Sequence, residues 1–260
     1  MKRVVVVTGA SSGIGRATAV TLARDGFAVF AVGGTNRSGL DETLQESNKG
    51  GIAAGCLCDL RERPAVDQLV ASVEQWSTET QGQLYGLVNL AGADVLTGPA
   101  AEACFEEKLS ALWQVDVMGT IRLSRRLGHQ MQSTGGQIIT IGWDQAEWGM
   151  EGDAGEMFGP TKAAVMAFTR SLAKTLAPRV RVNCIAPGWI HTQWASEASS
   201  KWQQRATDES LLRRWGTPAD VAHTIRFLYS AEASFLNAQV IHVNGGFRSG
   251  GFHPPVEAPQ

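Results

Sequence analysis

Seven short runs rich in β-branched residues, separated by segments of helix length, leave this chain few folds to choose from. The runs are Val4 to Thr8, Phe27 to Val32, Ile52 to Cys58, Leu84 to Leu90, Gln137 to Ile141, Val180 to Ala186 and Gln239 to Val243. Strands that alternate with helices predict an α/β fold, a doubly wound parallel sheet of about seven strands with helices on both faces. Consecutive apolar positions, as in Val4-Val5-Val6-Val7 and Leu87-Val88, suit strands buried on both sides. Helical period shows between Lys162 and Ala177, where Val165, Phe168, Leu172 and Leu176 form one stripe and Pro178 ends the segment. With 260 residues, no internal repeat and no low-complexity linker, one domain over 1–248 is expected. The Gly/Pro-rich stretch at 249–260 is expected to be an extended tail.

Composition removes several function classes. Lys+Arg number 23 against Asp+Glu 25, so the whole-chain field attracts neither nucleic acid nor anionic membrane. No apolar run approaches the roughly 20 residues of a membrane span, and Val4 to Val7 is too short for a signal-peptide core. The four cysteines show no CxxC and no matching histidine spacing, which argues against a disulfide framework or zinc. Cys56 and Cys58 alternate along a strand and read as core; His129, His223 and His242 have no metal spacing. A reducing, cytoplasmic setting is expected.

Residues 8 to 15 read Thr-Gly-Ala-Ser-Ser-Gly-Ile-Gly, directly between a valine strand and a helix-compatible segment. In that context Gly9, Gly13 and Gly15 let the chain turn tightly and bring backbone N–H groups to a pyrophosphate at a helix N-terminus. The spacing is GxxxGxG, not the GxGxxG of other dinucleotide folds.

These residues, with others downstream, resemble the short-chain dehydrogenase/reductase family over nearly the whole chain. The matching segments are Cys58-Asp59-Leu60, Asn89-Leu90-Ala91-Gly92 and Pro187-Gly188-Trp189-Ile190-His191-Thr192. Arg214-Trp215-Gly216-Thr217-Pro218-Ala219-Asp220-Val221-Ala222 and Val243-Asn244-Gly245-Gly246 look like the C-terminal half of bacterial 3-oxoacyl-carrier-protein reductases. The resemblance implies a Rossmann-type sheet and a homotetramer or homodimer. It implies a dinucleotide held by Gly9, Ser11, Ser12, Gly13, Ile14 and Gly15, by Asn89, Ala91 and Gly92, and by Pro187, Gly188, Ile190 and Thr192. Asp59 would meet the adenine and Lys162 the ribose.

NADP is expected over NAD. The second strand ends Val32-Gly33-Gly34-Thr35-Asn36-Arg37, without the carboxylate that would hold a ribose 2′-OH and repel a 2′-phosphate. Arg37 and Arg16 lie close in sequence, and a guanidinium suits phosphate.

The family's proton-handling residues are mostly replaced. Phe158-Gly159-Pro160-Thr161-Lys162 resembles YxxxK with Phe158 for Tyr, Trp143 stands where relatives carry Ser, and Asp116 stands at the Asn of VNxxG. Phe158 donates no proton, and Trp143 offers one N–H and accepts nothing. Lys162 alone is carried over, with Asp116 as a candidate ion-pair partner.

Two functions compete. In the first, a short-chain oxidoreductase acts on a carbonyl or imine of a small substrate with a substitute acid, Asp144 first and His191 second; a carboxyl desolvated beside Trp143 and Phe158 would have a raised pKa. In the second, the protein binds the dinucleotide and turns over little, as a sensor or structural member. Asp144, Glu147, Glu151, Asp153 and Glu156, with no Lys or Arg between 137 and 161, read as an acidic loop favouring neutral or cationic substrates, or as a solvated surface. Trp189, Trp194 and Trp202 form either a flat pocket for a ring substrate or packing.

Overall fold

The four consecutive valines Val4 to Val7 have no exposed surface. Burial of one such side chain stabilises by roughly 1.5–3 kcal/mol, so this strand belongs at the centre of the sheet. The structure, a computed structural model describing residues 1–247, places it there. The tail expected at 249–260 lies outside the described residues.

Chain order is β1 (Lys2–Thr8), α1 (Gly13–Arg24), β2 (Ala28–Gly33), α2 (Arg37–Gly50), β3 (Ile52–Leu57), α3 (Arg63–Glu79) and β4 (Gly82–Val88). The second half adds α4 (Phe105–Leu112), α5 (Thr120–Met131), β5 (Gly136–Ile141), α6 (Gln145–Trp148), α7 (Gly152–Leu176), β6 (Val180–Pro187), α8 (Gln193–Glu197), α9 (Ser200–Glu209), α10 (Pro218–Leu228) and β7 (Val240–Val243). A π-helical turn, Trp113–Gly119, joins α4 to α5. The strands form one parallel sheet in the order β3-β2-β1-β4-β5-β6-β7. This is a Rossmann-type doubly wound fold, and each expected strand is present within two residues of its expected ends.

Alternation along β1 divides the core. Val5 and Val7 face a cluster containing Leu22 of α1 and Ile225 and Leu228 of α10; Val6 faces Leu69 of α3, Leu127 of α5 and Leu172 of α7. Because the order reverses between β1 and β4, a crevice opens above their carboxyl ends, which is where such sheets bind ligands.

Two expectations are corrected. The helix expected from Lys162 begins ten residues earlier, at Gly152, and runs through Pro160. The acidic stretch after Trp143 is therefore not a loop but α6 and the first turns of α7. Four-residue spacing on α7 puts Phe158 and Lys162 on one face.

Candidate active site

At the mouth of the crevice the backbone of the glycine turn decides what fits. Gly9 has φ +67°, and a Cβ there would stand 2.5 Å from the Leu90 carbonyl oxygen; at Gly15 it would stand 2.0 Å from that of Gly9. Neither position accepts a side chain without moving the backbone. The Thr8 hydroxyl receives the N–H groups of Leu90 (3.0 Å) and Ala91 (3.1 Å), which locks the turn to the end of β4. Ser12 precedes α1 without capping it by its side chain, and the helix's first turn carries no acid. Its N-terminus is thus fit to receive an anion.

A groove of about 560 Å³ runs over this turn, walled by Gly9, Ser11, Ser12, Gly13, Ile14 and Gly15, then by Gly34-Thr35-Asn36, and by Gly92 and Thr192 on the other side. Its shape and uncapped amides fit a dinucleotide. Several expected cofactor residues are placed otherwise. Arg16 is spent as a strut: its Nη2 donates to the carbonyls of Ser11 (2.8 Å) and Gly39 (3.0 Å), its Nε donates to Thr43 Oγ1, and Glu42 lies 2.9 Å away. Arg37 is exposed, 3.9 Å from Asp41. Asp59 is clasped by Arg61, which holds its carboxyl below the usual range. Asn89 is buried and donates to Ser124 Oγ at 2.9 Å. Ala91 packs on the core.

Beside the groove lies a second cavity of about 410 Å³. The two share the wall formed by Ile14, Leu90, Trp143, Phe158, Lys162 and Trp194. Pro187, Gly188 and Ile190 line the second cavity alone. Lys162 Nζ lies 2.8 Å from Asp116 Oδ2, with side-chain exposures of 12% and 2%. The expected ion pair is therefore present, and Asp116 Oδ1 also accepts the Ala93 N–H at 2.8 Å. Asp116 sits in the π-helical turn, a distortion frequent at functional sites. Phe158 meets Trp143 edge to face, ring centroids 6.3 Å apart. The chain's two tyrosines are elsewhere: Tyr85 and Tyr229 pack with Phe27, and the Tyr229 hydroxyl donates to the carbonyl of Gln137 at the opposite end of β5.

Asp144 has the raised pKa expected of it, about 6, and desolvation is the cause, but in other surroundings than expected. Its carboxyl is fully buried and turned away from both cavities, accepting the Gln145 N–H and the Asn244 amide (3.1 Å). Burial raises the pKa; those hydrogen bonds and His242 lower it, and Glu209 raises it slightly. A folded value above the ordinary 3.8 gives a contribution to stability that is complete below pH 4 and is lost as pH rises through 6. The lift corresponds to roughly 3 kcal/mol. Between pH 4 and pH 8, urea unfolding is expected to move the stability of Asp144→Asn relative to the parent in the variant's favour by about that amount. An unchanged difference would mean that Asp144 titrates normally.

His191, the other candidate acid, is exposed against Trp215 and lines neither cavity. The acidic stretch is also less negative than its sequence implies, because arginines arrive from other elements. Glu151 meets Arg205 at 2.7 Å, and Glu147 meets Arg170 at 4.0 Å. Trp189, Trp194 and Trp202 do converge, and they are joined by Trp215, which sequence reasoning missed. A fourth tryptophan in the Arg214-Trp215-Gly216 segment was the only available signal. Burial pushes the thiols of Cys58 and Cys184 up to about 11, so neither is a nucleophile at neutral pH. Among the described residues no group of three His, Cys, Asp or Glu can hold a metal, and no helix is long and apolar enough to cross a membrane.

Comparison with known proteins agrees with this geometry. A family model described as enoyl-(acyl carrier protein) reductase matches residues 9–248. The chain is 34% identical over 255 residues to the 3-oxoacyl-[acyl-carrier-protein] reductase MabA of Mycobacterium tuberculosis, covering 96% of this chain and 94% of the relative. It is 33% identical to the short-chain reductase protein NovJ of Streptomyces niveus, with coverage of 94% and 93%. Among solved structures, an actinorhodin polyketide ketoreductase variant with NADPH superposes with a TM-score of 0.81 at 28% identity, covering 94% and 96% of the two chains. With the family model matched over residues 9–248 and relatives 33–34% identical over more than nine-tenths of both chains, the chain belongs to the short-chain dehydrogenase/reductase family.

Proposed function

We propose that the protein is an oxidoreductase that binds NADP(H) in preference to NAD(H) and acts on a carbonyl or imine carbon of a small substrate. The observation that carries this reading is the shared wall: a dinucleotide-shaped groove and a substrate-sized cavity meet at Lys162. When bound, the nicotinamide dinucleotide supplies or takes up the hydride. Lys162 is the one ionisable side chain in the shared wall, so it is the group we assign to hold the proton at Nζ, in place of Asp144 or His191. Asp116 fixes its position. A protonated imine would bring its own proton and need less of the protein. Preference for NADP rests on the Gly34-Thr35-Asn36 wall, which offers no carboxylate, and on Arg37, one residue further and held only loosely by Asp41. The four free cysteines suit a reducing, cytoplasmic setting, and assembly as a homotetramer or homodimer through α4, α5, α7 and β7 belongs to the same reading.

The test is titration of the protein with NADPH and NADH, followed by turnover assays with ketones, imines and activated alkenes at the nicotinamide absorbance. A charge-assisted contact to the 2′-phosphate predicts about 10- to 100-fold tighter binding of NADPH. Equal affinities would remove the NADP preference. Tight binding with no turnover of any substrate would replace the enzyme reading by the binding-protein reading.

A further inference from the structure

Five of the chain's eight tryptophans line the 410 Å³ cavity: Trp143, Trp189, Trp194, Trp202 and Trp215. None belongs to the three apolar cores, and all five are only half-buried. Their rings stand outside the packing of the sheet and border the cavity. Trp189, Trp194, Trp202 and Trp215 contact one another at centroid distances of 5.6 to 6.3 Å and form one continuous wall. That wall is fixed from behind. The Trp189 indole N–H donates to Glu209 at 2.7 Å, Glu209 pairs with Arg205, and the Arg205 guanidinium lies over the Trp202 ring. Trp215 Nε1 is buried without a partner, a cost to stability accepted in this wall.

Charge narrows the ligand further. Lys162 is the cavity's one charged lining residue and is neutralised by Asp116. Arg205 is engaged by Glu151 and Glu209. No lining guanidinium awaits an anion, and no lining carboxylate awaits a cation. We propose that the substrate of this site is a neutral, flat, fused-ring aromatic compound laid against the tryptophan wall, not an extended acyl chain. A rigid wall rewards a rigid ligand, because a flexible chain loses rotamer freedom on binding and a fused ring has none to lose. Face and edge contacts with indoles add to simple burial.

This inference rests on the oxidoreductase reading for what happens to the ligand, but not for whether it binds. The experiment is isothermal titration of the unaltered protein, without dinucleotide, with 9-fluorenone, naphthalene-2-sulfonate and the N-acetylcysteamine thioester of acetoacetate. Two or more indole contacts predict about 10- to 100-fold tighter binding of fluorenone than of the thioester or the sulfonate. Trp202→Ala is expected to weaken fluorenone at least about tenfold while NADPH affinity is retained, which also reports that the variant is folded. Equal or tighter binding of the thioester, or unchanged fluorenone affinity in a folded Trp202→Ala, would overturn the inference. If fluorenone binds and NADPH does not, the oxidoreductase reading falls and this one stands.

Discussion

Phe158→Tyr is expected to raise kcat/KM for ketone reduction with NADPH by about 10²-fold or more. A positioned general acid contributes typically 10²–10⁴, and the parent offers no phenol near the site, since Tyr85 and Tyr229 are packed with Phe27. Phe158 lines both cavities and lies one helical turn before Lys162. A hydroxyl added to its ring gains an adjacent ammonium, which favours the phenolate and brings an ordinary pKa near 10 closer to the working range. The site is open enough to take one more oxygen, because the ring borders a 410 Å³ cavity instead of being enclosed. The gain is expected with ketones and not with preformed iminium ions, which need no donor. A new ionisation in the pH–rate profile should accompany it. Unchanged kcat/KM with NADPH binding intact would mean that Trp143, at 6.3 Å from Phe158, occupies the place the substrate oxygen needs.

Much of the scaffold was legible because it follows from local rules. Strand runs such as Val4 to Val7 carry period and burial on their face, and the glycine turn at 8–15 is dictated by contacts that exclude a Cβ. The Lys162–Asp116 pair was expected from the family resemblance and is present. What failed were inferences from sequence neighbourhood alone. Arg16 is close to the groove in sequence but is consumed by the carbonyls of Ser11 and Gly39. Glu151 stands in an apparently unneutralised stretch but meets Arg205, 54 residues away. Asp144 follows Trp143, yet adjacent side chains leave the backbone in different directions, so its carboxyl faces Asn244 and not the cavity. The N-terminal ten residues of α7 were missed because Gly152, Gly155, Gly159 and Pro160 are poor helix formers. Tertiary contact with α4 and α6 overrides them.

Asp116→Ala is expected to be the most destabilising single change at the site. It strips the counter-charge from an ammonium only 12% exposed and removes the acceptor of the Ala93 N–H. Breaking a buried pair from one side costs about 3–5 kcal/mol, because the surviving charge keeps its desolvation without compensation. For a domain of this size that lowers Tm by about 10 °C. The double variant Asp116→Ala with Lys162→Met is expected to recover part of the loss, because no uncompensated charge remains and the methionine fills the lysine's volume with apolar surface. A coupling of about 2–3 kcal/mol in the cycle is therefore expected, measured by urea unfolding of the parent, both single variants and the double. Additive losses would mean that the 2.8 Å approach carries no electrostatic weight. Asp116→Asn separates the two roles of the carboxylate, since its carbonyl still accepts from Ala93 while the charge is gone. Its loss should fall between those of the parent and Asp116→Ala. NADPH affinity measured on these five proteins distinguishes stability from function: Lys162→Met should weaken the dinucleotide whether or not Asp116 is present, whereas Asp116→Asn should weaken it only as far as Lys162 is displaced.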